Sequence, residues 1–84
     1  MTGVLLHRYI YIDVHRGVLE RENQEKELKL KEEDYITLTG SIVKRYFKIH
    51  KIKKLYDFDK QIMYHMVHIE EVNDDEREYI EDLL

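Results

Sequence analysis

From residue 9 to residue 14 apolar side chains alternate with tyrosine and aspartate: Ile10, Ile12 and Val14 on one side, Tyr9, Tyr11 and Asp13 on the other. A period of two predicts a half-buried strand over residues 4–15, with Ile10 and Ile12 facing the core. Gly17 follows, and residues 20–27 are eight consecutive polar positions with no apolar stripe to bury, which reads as a long hairpin tip or an exposed helix turn. Leu28 and Leu30 alternate with lysines, and Ile36 and Leu38 alternate with Tyr35, Thr37 and Thr39, so two short strands are expected around Glu32, Glu33 and Asp34.

Residues 41–56 fit two periods. On a helix Ile42, Val43, Tyr46, Phe47, Ile49 and His50 share an arc opposite Lys44, Arg45, Lys48 and Lys51. As a strand the segment has no clean alternation, because Tyr46 and Phe47 adjoin. Its β-branched and aromatic content, and the need of the next element for a partner, favour a strand. Residues 56–60 carry turn chemistry. Residues 61–69 are apolar at both parities, Ile62, Tyr64 and Met66 against Met63, Val67 and Ile69, as in a central strand buried on two sides.

The last element has a start signal. Asn73 is an N-cap residue, Glu76 stands three positions on in a capping-box pattern, and Asp74 and Asp75 suit the positive end of the helix dipole. A helix over residues 73–84 gathers Val72, Tyr79, Ile80, Leu83 and Leu84 on one side. Asp74, Asp75, Glu78, Glu81 and Asp82 fall on the other, with Arg77 at the margin, where it would not neutralise them. The predicted fold is α+β, a small, mostly antiparallel sheet with a C-terminal acidic amphipathic helix, in a single domain spanning residues 1–84. The expected core comprises Ile10, Ile12, Ile36, Leu38, Ile62, Val67, Tyr79, Ile80 and Leu83.

Composition narrows the chemistry. The chain has no cysteine, which removes disulfides, thiolate zinc sites and a cysteine nucleophile. The apolar run 4–6 is too short for a signal or membrane segment, so a cytoplasmic protein without membrane association is expected. Among five histidines, His65 and His68 point to opposite sides of a strand, and His7 and His15 are about 26 Å apart along one, so no metal ligand set is expected. Ser41 is the single serine, Gly3, Gly17 and Gly40 are isolated, and the carboxylate pairs at 32–33 and 70–71 lie in polar surroundings. A non-enzymatic protein without cofactors is the resulting expectation. Proline is absent, so no sheet edge is protected by it, and a homodimer would cover exposed edges or helix.

Charge is segregated although its sum is only −4. Residues 20–34 hold seven acids and four bases, residues 44–54 six bases and no acid, and residues 70–82 eight acids and one base. The basic block, Lys44, Arg45, Lys48, Lys51, Lys53 and Lys54, is interleaved with Tyr46, Phe47, His50 and Tyr56, a pattern used to bind single-stranded nucleic acid. Against it, the remainder of the chain would repel a polyanion. The helix arc Asp74, Asp75, Glu78, Glu81 and Asp82 sets five carboxylates over about 12 Å, near the charge density of duplex DNA. With its Asn73–Asp82 ending, the short Tyr-, Lys- and Glu-rich chain, lacking Cys, Pro and Trp, resembles small phage-encoded host-takeover proteins, some of which mimic DNA. That resemblance implies a regulator presenting its acidic face to a basic, nucleic-acid-binding host protein; the basic segment 44–56 offers the alternative, a nucleic-acid-binding module.

Overall fold

The computed structural model describes residues 5–38 and 45–83. Five strands and one helix follow in order: β1 (Leu6–Asp13), β2 (Gly17–Gln24), β3 (Tyr35–Leu38), β4 (Arg45–Asp57), β5 (Ile62–Glu71) and α1 (Asp74–Leu83). The strands form one sheet in the order β2-β1-β5-β4-β3. Neighbours are antiparallel except β1 and β5, which run parallel from Leu6 beside Ile62 to Asp13 beside Ile69. The α+β expectation therefore holds, but the sheet is mixed rather than mostly antiparallel. A parallel pair needs a long crossover, and here everything from β2 to β4 supplies it.

That crossover makes the core. Leaving β2, residues 25–34 pass over one sheet face toward β4, and Leu28 and Leu30 pack on the buried cluster of Tyr9, Tyr11, Phe47, Ile49, Val67 and Ile69. Polar ties fix this strap. The Leu28 amide donates to Tyr9 Oη at 2.6 Å, Lys54 meets Glu27 at 2.9 Å, and the Ile52 amide donates to Glu32. The Glu33 amide donates to the Ile49 carbonyl, and the Ile49 amide to that of Asp34, which extends the β3 ladder along β4. Glu33 takes the left-handed conformation at this join, with φ of 73°. The sheet-crossing strap replaces the strand expected around Leu28 and Leu30.

Burial in β1 runs opposite to expectation. His7, Tyr9, Tyr11 and Asp13 are buried, whereas Ile10 and Ile12 lie half-buried on the reverse face and Val14 is exposed. Both parities of β1 are bulky, so the outcome rests on which set the strap covers, and on that side both phenols are satisfied: Tyr9 by Leu28 of the strap, Tyr11 through a 2.7 Å bond to Glu22 of β2. The polar run 20–27 is also corrected: through Gln24 it is the edge strand β2, where Glu22 and Asn23 bond back to Tyr11 and Arg8. Ile36 and Leu38 pack against the core, Val67 is fully buried and Ile80 is buried, as expected. Ile62 is half-buried. Tyr79 and Leu83 are not core: they are 65% and 69% exposed. β5 is the central strand, buried on the strap side at His65, Val67 and Ile69 but only partly on the other.

Candidate interaction surfaces

Three features outside ordinary packing concentrate chemistry: the helix, the uncovered sheet face, and a set of polar side chains within and at the end of the sheet.

The helix begins as its cap residue dictates. Asn73 Oδ1 accepts the Glu76 amide at 2.8 Å, and the Arg77 amide donates to the Asn73 carbonyl at 2.9 Å. Ile80 is its buried residue and faces Tyr35, Thr37 and Tyr46 on the side of the sheet away from the strap. Asp74, Asp75, Glu78, Glu81 and Asp82 are all exposed. Arg77 does reach into this array, contrary to expectation: its Nε lies 2.9 Å from Glu81, one turn on, and Asp74 and Glu78 line the same shallow concavity. Asp74, Asp75, Glu78 and Asp82 have no ion-pair partner among the described residues.

Folding divides the basic block. Arg45 turns to Glu71, with Nε and Nη2 each 2.9 Å from a carboxylate oxygen, and Arg16 reaches the same carboxylate at 2.6 Å. These bonds, that of Arg45 foremost, hold the Glu71 carboxyl down at about 2. Lys48 pairs with Glu33 at 3.0 Å and Lys54 with Glu27 at 2.9 Å, lowering both carboxyls. Lys44 lies outside the described residues. Lys51 and Lys53 remain exposed and, among the described residues, without an ion pair. Ion pairing and strand alternation thus divide the five described cations of the block among separate contacts.

The two unpaired lysines stand on the uncovered face. Lys51 lies beside His68, Lys53 beside Met66 and Leu55 beside Tyr64; across β5, Met66 adjoins Ile10, Tyr64 adjoins Arg8 and His68 adjoins Ile12. Arg21 adjoins Ile10 on the far side. The Arg8 guanidinium sits 5.7 Å from the Tyr64 ring centre and donates to Asn23 at 3.0 Å. An apolar centre of Ile10, Ile12, Tyr64 and Met66 is therefore flanked by Arg8 and Arg21 on one side and Lys51 and Lys53 on the other. Adjacent strands had to be known before this surface could be seen.

Inside the strap side, His7 Nδ1 and His65 Nε2 lie 2.9 Å apart, so one ring donates and the other accepts. His65 also stacks on Tyr9 at 4.3 Å between centres. Burial, followed by the nearness of His7, pushes the His65 imidazole below its ordinary value. At one end of the sheet Glu70 bridges His50 and His15, 2.9 Å from each, and is held below the usual carboxylate range by those bonds. Asp13 accepts the amides of His15 and Arg16 through Oδ1, while its buried Oδ2 has no partner among the described residues. Sequence reasoning found none of these pairings, because they join residues 20 to 58 apart across different strands or depend on the turn after β1.

No group of three metal-ligating side chains gathers among the described residues, and no helix among them is long and apolar enough to cross a membrane. Comparison with family models, curated proteins and solved structures finds no match to the chain.

Proposed function

We propose that this protein is a non-enzymatic binding regulator that presents the outer arc of α1 to a basic, nucleic-acid-binding protein and competes with that protein's polyanion. The observation that carries the reading is the set of exposed carboxylates, Asp74, Asp75, Glu78 and Asp82, without ion pairs among the described residues, on a helix whose buried residue is Ile80. Helix-dipole stabilisation accounts for Asp74 and Asp75 in the first turn; it does not account for Glu78 and Asp82 further along. A rigid helix loses little conformational freedom on binding, and its field speeds encounter with a cationic surface. The Arg77–Glu81 pair removes one member from the array and leaves Glu81 a minor contributor. The resemblance to small phage proteins that mimic DNA points the same way.

The test is capture of basic proteins from a lysate by the immobilised chain, followed by competition with duplex DNA. Asp74→Asn with Glu78→Gln, both exposed, should keep the helical signal and weaken binding roughly 2-fold to 30-fold, mostly through slower association. A complex indifferent to DNA and to salt would remove the reading. Direct binding of nucleic acid by the chain would favour its alternative.

A further inference from the structure

We propose that the uncovered face of the sheet is a docking site for α1 of a second copy of this chain, giving a reciprocal dimer in which Tyr79 and Leu83 of each copy enter the apolar centre of the other. Each half is incomplete alone. On the sheet, Met66, Tyr64, Ile10 and Ile12 form a half-buried apolar strip over which, among the described residues, no element passes; α1 lies at one corner of that face, where Ile80 and Tyr46 line a shared cavity. On the helix, Tyr79 and Leu83 lie one turn apart on the same side and are 65% and 69% exposed.

Charge selects this occupant over others. The strip is bordered by cations, Arg21 on one flank and Lys51 and Lys53 on the other, none of them ion-paired among the described residues. The Tyr79–Leu83 stripe is bordered by acids: at 100° per residue, Asp75 and Asp82 fall on one side of it and Glu76 on the other. An apolar ridge edged by carboxylates meets an apolar strip edged by ammonium and guanidinium groups. Stacking two identical sheet faces about a two-fold axis would instead set the cationic flanks of one copy against those of the other, a like-charge opposition that disfavours it.

Dimensions agree. The ten-residue helix is about 15 Å long. The strip from the Arg8 row to the Ile12 row runs about 13 Å along the strands and about 14 Å across four of them. Docking engages Asp75 and Asp82 of the outer arc, while Asp74, Glu78 and Glu81 point away from the Tyr79–Leu83 side and stay exposed. The inference does not rest on the proposed function, although both use Asp75 and Asp82.

Sedimentation equilibrium on the full chain should show a dimer. Tyr79→Ser with Leu83→Ser on the helix, or Lys51→Glu with Lys53→Glu on the sheet, should each weaken it about 10-fold or more while the circular dichroism spectrum is retained, since all four positions are exposed. Mixing the two variants restores one intact helix-on-sheet contact, so a heterodimer should form where neither variant self-associates. A wild-type monomer, a dimer unaffected by the helix variant, or mixtures that stay monomeric would each overturn the proposal. Single-stranded DNA bound by a monomer and released by the lysine substitutions would overturn it too, assigning the face to nucleic acid.

Discussion

His65 couples burial to ionisation. Its ring is sealed between Tyr9 and His7 and its pKa is lowered, first by desolvation and then by His7. Above the ordinary value near 6.5, the ring is neutral folded or unfolded, and the stability of the pair is fully present. As pH falls below that value the unfolded chain gains a proton that the folded chain resists, so stability is lost until the folded pKa is passed. The urea midpoint should therefore drop between pH 7.5 and 5, and His65→Gln should flatten that drop; a wild-type midpoint constant over the range would contradict it. Glu71 acts at lower pH. Held at about 2 by Arg45 and Arg16, it contributes stability present above about 4.5 and lost as pH falls toward 2. Its side chain is 32% exposed, so solvent screening limits the contribution to about 1 kcal/mol. Glu71→Gln should cost about that much at pH 7 and shrink the acid limb of the stability curve.

Elements were legible where local chemistry decides them. The cap at Asn73 fixes where α1 begins, the β-branched and aromatic content of residues 45–56 outweighs their helical period, and the apolar run of β5 marks the central strand. The edge strand β2 escaped notice because a strand open on one side needs no apolar alternation, and its carboxylates and amides serve as partners for β1. The parity of β1 was unreadable for a different reason: Tyr and Ile both tolerate burial, and the choice was made by Leu28 and Leu30 arriving from a distant strap. The acidic array lies on the predicted helix positions, whereas the sheet surface depends on pairing β1 with β5 across 55 residues of chain, which no local pattern encodes. Adjacent positions on β5 test the assignment of faces. Val67→Ala, on the strap side, should cost about 2 kcal/mol, and Met66→Ala, on the open side, less than about 1 kcal/mol in the monomer. Equal losses in denaturant titrations would mean that both faces are closed. Tyr9→Phe removes the phenolic oxygen that accepts the Leu28 amide and should cost about 1–2 kcal/mol, with faster amide exchange at Leu28 as its local signature.

At the scale of the whole molecule, a chain of this size buries only about 60–65% of its unfolded surface, and here one sheet face has a cover of ten residues while the other, among the described residues, has α1 at one corner and is otherwise only half-buried. The fold places cations beside the open strip and acids on the helix, so a net charge of −4 conceals two surfaces of opposite sign. A stable arrangement in which those surfaces meet between copies makes folding and association one equilibrium. Each tenfold rise in concentration then adds about 1.4 kcal/mol per mole of dimer, or about 0.7 per chain. For a domain of 60–100 residues, 1 kcal/mol moves the melting temperature about 4–8 °C, so the midpoint should climb by about 3–6 °C per decade of concentration. The climb should persist in low salt and diminish toward 0.5 M ionic strength, roughly, where screening shortens the reach of Lys51, Lys53 and Arg21 to the acids of the incoming helix. In the Tyr79→Ser, Leu83→Ser variant the midpoint should not depend on concentration, because both residues are exposed in the monomer and their loss removes only the contact between copies. A concentration-dependent midpoint in that variant would place the dimer contact elsewhere, at the β2 edge or the β3 edge.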